Sequence, residues 1–325
     1  MPPEKTASQS TRTVLIALGA NALIAAVKFV AALLTGSSAL FAEGVHSVAD
    51  TLNEGFLLTS LKKSSRPADA RHPFGYGKER FFWSLLAAVG IFVAGAGFST
   101  IEAYQAFTGH ETVGGHYFLI AYVALAIAGA AEGTSWARAV RQVRAEAREA
   151  GRTPLEHVRK SSDPSVKTVA SEDTAALVGI LFAFGGIALH QATGQGWWEG
   201  VAAALIALLL VVTAYLLGHD VKDMLIGEAV EPELRDELEE FLTRYDGVDE
   251  VVDLLTMRMG ADQVLLAARI DLDQGLDSDR VEEISTCIDH EINERWPRIT
   301  QVFLDATRSD ERVPRVGLGG RVSGS

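Results

Sequence analysis

Six long apolar stretches occupy the first two thirds of this 325-residue sequence. A helix needs about twenty consecutive apolar residues to cross a lipid bilayer. Each stretch reaches that length with only a few polar interruptions, so the sequence predicts six transmembrane helices, numbered here as spans 1 to 6. They cover residues 13–35, 38–60, 80–107, 117–137, 168–190 and 198–218.

The positively charged residues predict how the chain is oriented in the membrane. Six Lys and Arg residues lie between Lys62 and Arg80, and eight more lie between Arg138 and Lys167. The alternate loops, at 35–38, 108–116 and 191–196, carry none. Loops rich in Lys and Arg stay on the cytoplasmic side, so the loops at 62–80 and 138–167 are predicted to be cytoplasmic. Together with the six spans, this predicts a multi-pass protein of the cell membrane. Both termini, including an N-terminal tail at residues 1–12, are predicted to be cytoplasmic.

After a membrane domain at residues 13–226, the sequence changes to a charged pattern typical of a small cytoplasmic domain at 227–308. Residues 228–308 carry 22 acidic and 8 basic side chains, which accounts for nearly all of the net charge of −13. Such acidity disfavours nucleic acid as a partner and suits cations. Helical and alternating patterns follow in the order αββαβ, a ferredoxin-like α+β arrangement. Residues 309–325, rich in Gly and Ser, are predicted to be disordered.

Span 2 contains the pair of residues that most directly indicates a function. His46 and Asp50 are four residues apart, so on a helix their side chains share one face and can reach one metal ion. Ionisable residues inside a membrane span are costly and are usually functional. Glu43 and Asn53 flank the pair on roughly the same face and are expected to support it by hydrogen bonding. Lys28 in span 1 is expected either to extend toward the membrane surface or to pair with a buried carboxylate.

Several motifs in the right order resemble those of the cation diffusion facilitator family. Gly36 to Leu40 with Glu43 and His46 resembles the family's entry to span 2. Residues 67–69 and 72–80, reading PAD and HPFGYGKER, resemble its entry to span 3. The resemblance covers residues 13–308. It implies a homodimer in the lipid bilayer that exports divalent transition-metal ions, with Zn²⁺ favoured, usually in exchange for protons, and that needs no tightly bound cofactor.

Span 5 departs from the commonest pattern of that family. Zinc-exporting members often repeat His-x-x-x-Asp on span 5, whereas this chain has Val169 at the histidine position and Asp173 at the carboxylate position. Glu172 is an additional acid about 100° around the helix from Asp173. The resemblance therefore implies a site formed by His46, Asp50 and Asp173, with Glu172 as a less certain member. A carboxylate-rich set makes Mn²⁺, Fe²⁺ or Co²⁺ an alternative to Zn²⁺.

Asp69 and His72, in the loop before span 3, match the ligands of a loop metal site found in some members of the family. The third ligand position holds Tyr76, whose protonated hydroxyl is a poor ligand. A structural role for this loop is therefore the favoured interpretation, and a metal site remains the alternative.

Other function classes lack their motifs in this sequence. It has no His-Glu-x-x-His, no Gly-x-Ser-x-Gly and no phosphate-binding loop ending in Gly-Lys-Ser or Gly-Lys-Thr, so neither a zinc protease, a serine hydrolase nor an ATP-driven pump of those types is indicated. We expect a transporter and not an enzyme. A metal-sensing membrane receptor without transport is the alternative from a different class.

The predicted orientation can be tested by cysteine labelling in a Cys287→Ser background. Cysteines introduced at Gly114 and Gly194 should react with an impermeant thiol reagent applied to intact cells, because their loops lack Lys and Arg. A cysteine at position 148 should react only after the cells are permeabilised. Labelling of position 148 in intact cells would overturn the orientation.

Overall fold

The computed structural model describes residues 4–109, 118–149, 151, 153–154 and 164–308. Side chains are described from residue 18 onward and, after the last gap, from residue 172. The predicted N-terminal tail lies partly, and the predicted disordered segment wholly, outside the described residues. Contacts divide the chain between Ile226 and Gly227 into an N-terminal helical unit and a smaller C-terminal unit.

The described part of the N-terminal unit contains six long helices. Five of them are long and apolar enough to cross a membrane, and α2, with 27 residues, is not among these five. The chain is thus a multi-pass helical membrane protein, and the sixth span remains a prediction. The helices are α1 (Glu4–Thr35), α2 (Ser38–Ser64), α3 (Glu79–Phe107), α4 (Phe118–Glu149), α5 (Pro164–Thr193) and α6 (Trp197–Ile226).

Helix α2 is surrounded by other helices, which explains how it tolerates its polar residues. It packs against α1, α3, α5 and α6. The chain enters α2 through a tight turn in which Gly36 adopts a φ of 68°, a conformation that favours glycine. Ser37 caps the helix, because its side chain accepts a hydrogen bond from the backbone N–H of Leu40 at 3.3 Å. The first turns of α2 are thereby fixed inside the bundle.

A buried polar cluster ties this turn to the two last helices of the unit. Ser37 donates a short hydrogen bond to Glu199 on α6. The other carboxylate oxygen of Glu199 lies 2.6 Å from Nδ1 of His190 on α5. Glu199 is only 1% exposed. Ser37, His190 and Glu199 all lie at the same end of the helix bundle. The cluster fixes the α1–α2 turn relative to α5 and α6.

The C-terminal unit has the predicted αββαβ order. Its elements are α7 (Pro232–Thr243), β1 (Val248–Gly260), β2 (Gln263–Leu272), α8 (Ser278–Arg295) and β3 (Ile299–Ala306). The sheet order is β1-β2-β3, with β1 and β2 antiparallel and β2 and β3 parallel. Leu238 of α7, Leu266 of β2 and Ile288 of α8 are fully buried in one core. The small α+β domain is confirmed.

Two neighbouring glycines on α5 allow a matched test of how closely α5 and α6 pack. A Cβ at Gly186 would lie 2.6 Å from the Cβ of Ala202 and 2.9 Å from the backbone oxygen of Trp198, whereas a Cβ at Gly185 would meet nothing within 4 Å. Gly186→Ala should therefore destabilise the chain by about 1–3 kcal/mol, as overpacking does. Gly185→Ala should be neutral or stabilising. Thermal unfolding of the detergent-solubilised chain measures both, and equal midpoints for the two variants would contradict the close approach.

Candidate metal centre

His46 and Asp50 lie on one face of α2 and are both buried, as the spacing predicted. His46 is 1% exposed and Asp50 is 5% exposed. Nε2 of His46 lies 3.5 Å from Oδ1 of Asp50. One turn of helix separates the two residues, so the ring and the carboxylate face each other along the helix axis. An imidazole nitrogen and a carboxylate oxygen in this arrangement are suited to a divalent transition metal.

Helix α5 adds Glu172 to this pair. Glu172 is buried, accepts a hydrogen bond from Nδ2 of Asn53 at 2.5 Å, and its charge acts on Asp50. Its other carboxylate oxygen, Oε1, is buried and has no hydrogen-bond partner among the described residues. A buried carboxylate oxygen without a donor is open to a cation.

Asp173 points elsewhere. Its carboxylate accepts a hydrogen bond from Oγ of Ser135 on α4 at 3.2 Å and interacts electrostatically with Glu132 and Arg138 of the same helix. The structure thus places Glu172 near Asp50 and directs Asp173 toward α4. Glu172, expected as the less certain member, is the acid of α5 whose charge acts on Asp50.

On the other side of His46, Lys28 pairs with a buried carboxylate, the second of the two expected alternatives. Nζ of Lys28 lies 2.9 Å from Oε2 of Glu43 and 2.7 Å from Oγ of Ser47. Lys28 is 1% exposed and Glu43 is fully buried. Nδ1 of His46 lies 3.8 Å from Oε1 of Glu43, which is too long for a hydrogen bond.

Two further acids near the site were missed by sequence reasoning. Glu132 of α4 is 5% exposed, and its charge acts on Glu54, Asp50 and Asp173. Glu54, one turn beyond Asp50, accepts a hydrogen bond from Nδ2 of Asn21 at 3.0 Å. Both could have been found by the rule that identified His46, because each is a carboxylate in or beside an apolar span.

The side chains do not form a finished metal shell. Within the described parts of the chain, no three His, Cys, Asp or Glu residues are spaced to hold a metal ion as they stand. Binding at His46, Asp50 and Glu172 therefore requires rotation of a side chain or additional water ligands. A site that closes only around its cation suits transient occupancy.

Gly179 is what allows α5 to approach the site so closely. A Cβ at this position would lie 2.2 Å from Oε1 of Glu43 and 3.4 Å from Nδ1 of His46. Any larger residue would displace the Glu43 carboxylate, which its ion pair with Lys28 holds in place. Glycine at position 179 thus leaves room for the two facing polar atoms of α2.

Asp69 and His72 form a hydrogen-bonded turn in the loop before α3. Oδ1 of Asp69 accepts the backbone N–H groups of Arg71 at 2.9 Å and His72 at 2.7 Å, and Oδ2 accepts the Tyr76 hydroxyl at 2.7 Å. The rings of His72 and Tyr76 lie 4.3 Å apart. The hydrogen bond from Tyr76, followed by that from His72, holds the pKa of the Asp69 carboxyl below its ordinary value. These contacts support the structural interpretation of the loop.

Comparison with known proteins decides the family. A model of the cation efflux transmembrane domain matches residues 14–226 of this chain. That range is well over half of the sequence and contains His46, Asp50 and both acids of α5. The chain belongs to the cation efflux family. The resemblance to cation diffusion facilitators is confirmed, and so is the expectation of a transporter family and not an enzyme.

Named relatives extend the match beyond the membrane domain. The human mitochondrial proton-coupled zinc antiporter SLC30A9 is 31% identical over 262 residues, which cover 81% of this chain and 46% of the relative. Metal tolerance protein C4 of Arabidopsis thaliana is 31% identical over 81% of this chain and 57% of its own length. The manganese efflux system protein MneP of Bacillus subtilis is 26% identical over 91% of this chain and 95% of its own. The chain thus spans about half the length of the first two.

The turn at Asp69 yields a test of whether the loop is structural or binds metal. Asp69→Ala should lower the thermal midpoint at neutral pH and leave the number of Zn²⁺ ions bound by the detergent-solubilised chain unchanged. The difference in midpoint should be present above the ordinary carboxyl pKa of about 3.9 and should shrink as the pH falls below it, because the folded state then loses the carboxylate that accepts these hydrogen bonds. Loss of one bound ion would instead show a loop metal site.

Proposed function

We propose that this chain exports divalent transition-metal cations from the cytoplasm, taking Zn²⁺ outward in exchange for protons. The observation that carries the proposal is the buried His46–Asp50 pair inside a membrane helix bundle, with Glu172 near Asp50 and its Oε1 without a hydrogen-bond partner among the described residues. The name of the human relative, a proton-coupled zinc antiporter, supports both the cargo and the exchange. We further propose a homodimer in the cell membrane with both termini cytoplasmic.

The ligands give a reason for proton exchange. Imidazole and carboxylate must be free of protons before they bind a metal ion. At the near-neutral pH of the cytoplasm a histidine of ordinary pKa, about 6.5, is largely deprotonated and can load the cation. An acidic exterior favours the protonated ligands, so protons displace the metal there. One site that faces the two compartments in turn then couples the two flows.

The acids of the bundle favour approach from the Ser64 end of α2. Glu54 lies one turn nearer to that end than Asp50, and Glu132 and Asp173 interact with it electrostatically. Partly buried negative charges raise the local concentration of cations. With the Ser64 end assigned to the cytoplasm, these acids lie between the cytoplasm and His46. This arrangement fits export.

A second candidate cargo is Mn²⁺, with Fe²⁺ and Co²⁺ as related possibilities. The specific observation is that α5 places Glu172 near Asp50, whereas position 169, where a histidine is common in zinc exporters, holds valine. Carboxylate oxygen suits Mn²⁺ better than imidazole does. The name of the Bacillus subtilis relative, a manganese efflux system protein, supports the same cargo.

Reconstituted vesicles test the function and the cargo together. The wild-type chain should accumulate Zn²⁺ inside acid-loaded vesicles, with parallel assays for Mn²⁺, Fe²⁺ and Co²⁺. Asp50→Ala should reduce the rate at least a hundredfold, because it removes one of the two metal ligands on α2. Asp223→Ala, at an exposed aspartate near the end of α6, is the matched control and should transport at the wild-type rate.

The results separate the candidates. Faster transport of Mn²⁺ than Zn²⁺ would select the second cargo. Binding of metal without transport of any of the four ions would favour a metal-sensing receptor and contradict export. Wild-type flux from Asp50→Ala would refute the site while leaving the function intact.

A further inference from the structure

The ring of His46 has a carboxylate on each side, and only one of them belongs to the site described above. Nε2 faces Asp50 at 3.5 Å, and Nδ1 faces Oε1 of Glu43 at 3.8 Å. On α2, Glu43 lies three residues, about 4.5 Å, nearer to the Ser37 end than His46, and Asp50 lies four residues, about 6 Å, nearer to the Ser64 end. The imidazole therefore separates two places along the helix axis.

Nδ1 of His46 and Oε1 of Glu43 are both buried and lack hydrogen-bond partners in the part of the chain that the structure describes. Leaving even one such buried group unpaired destabilises the folded chain. Lys28 does not relieve the cost, since its ammonium group takes Oε2 of Glu43 and the hydroxyl of Ser47. Two unpaired atoms that face each other fit a position that is filled only at one stage of the transport cycle.

The space between these atoms is suited to a cation. Zn²⁺ binds nitrogen at about 2.0–2.1 Å and oxygen at about 2.0–2.2 Å, so an ion fits between two atoms that are 3.8 Å apart. The opposite wall is Gly179, where even a Cβ would lie 2.2 Å from Oε1 of Glu43. The backbone of α5 thus closes this side of the position, and only glycine leaves room there for the Glu43 carboxylate.

We propose that Glu43 Oε1 and His46 Nδ1 form a second, transient position for the transported divalent cation, on the Ser37 side of the first. The inference rests on the proposed transport function and adds a residue to its path. The cation moves from Asp50 and Nε2 to Nδ1 and Glu43. The single ring proton of the neutral imidazole moves the other way, from Nδ1 to Nε2, where it faces Asp50. Two protein ligands and the nearby ammonium group of Lys28 keep this position weak, which allows the ion to leave.

A charge-neutral double variant distinguishes a ligand from a structural ion pair. Lys28→Met with Glu43→Gln removes both buried charges together, so neither is left unpaired. If Glu43 only balances Lys28, this variant should transport at the wild-type rate. If Glu43 is a ligand, the maximal rate of Zn²⁺ transport in vesicles should fall at least fivefold. Equilibrium Zn²⁺ affinity in detergent should stay within twofold, because Asp50, Nε2 and Glu172 are untouched.

The wild type is tested first, and the ion that it transports faster, Zn²⁺ or Mn²⁺, is the probe for every variant. Each outcome then either supports or overturns the second position. A rate reduced less than fivefold overturns the second position and leaves the proposed function standing. A parallel loss of affinity also overturns it, since Glu43 then belongs to the first site. A wild type that transports neither ion refutes the proposed function itself.

Two further variants guard the experiment. Glu102→Gln changes another carboxylate within a span, the half-buried Glu102 of α3, and should keep the wild-type rate. If the double variant does not fold, Glu43→Asp keeps the charge next to Lys28 but withdraws the carboxylate by one methylene. Its maximal rate should then fall at least threefold, and an unchanged rate overturns the proposal.

Discussion

The organisation of the membrane unit depends on one constraint, namely that a charge taken out of water needs a partner. Helix α2 carries Glu43, His46 and Asp50 in its buried half, and an isolated charge there would cost far more than a helix gains by packing. Lys28 balances Glu43 directly. The remaining groups are held by one another and by Asn53 and Glu172. These polar contacts together therefore determine how α1, α2 and α5 pack against one another.

Small residues make these polar contacts possible. Gly179 brings α5 against the polar face of α2. A Cβ at Gly95 of α3 would lie 3.7 Å from the Cβ of Ala49 on α2. In membranes, where apolar burial does not drive helices together, close approach through small residues is a main source of stability. For this reason the polar site and the packing of the helix bundle cannot be altered independently. A substitution chosen to alter packing at Gly179 also alters the surroundings of Glu43.

The buried polar groups lie along α2 in an order that suits a path for the cation in the proposed transport. Glu54 lies nearest to the Ser64 end, then Asp50, then His46, then Glu43 with Lys28. Beyond them, at the Ser37 end, Glu199 and His190 hold the turn into the helix. In the proposed transport, acids attract the cation at one end, and the ammonium group of Lys28 weakens its binding farther along. The acidity of the C-terminal domain is a separate property, carried by a sheet and two helices with their own core.

The sequence by itself determined the type and order of the elements, because hydrophobic runs and alternating patterns are local properties. The membrane helices and the αββαβ order of residues 232–306 follow from them, as does the pairing of His46 with Asp50 one turn apart. Which acid of α5 meets that pair was decided only in the tertiary structure. Glu172 and Asp173 are adjacent, and the rotation of α5 against α2 sends the first to Asp50 and the second to Ser135.

Contacts between residues from distant segments likewise could not be predicted from local sequence patterns. Lys28 could have extended toward the membrane surface, and Glu43 alone could have capped or bonded elsewhere. Their 2.9 Å contact depends on how α1 packs against α2. The unpaired atoms of Glu43 and His46 become visible only once Gly179 is placed beside them. Sequence supplies the chemical groups, but the packing of helices decides which groups meet, because that packing depends on contacts between residues far apart in the chain.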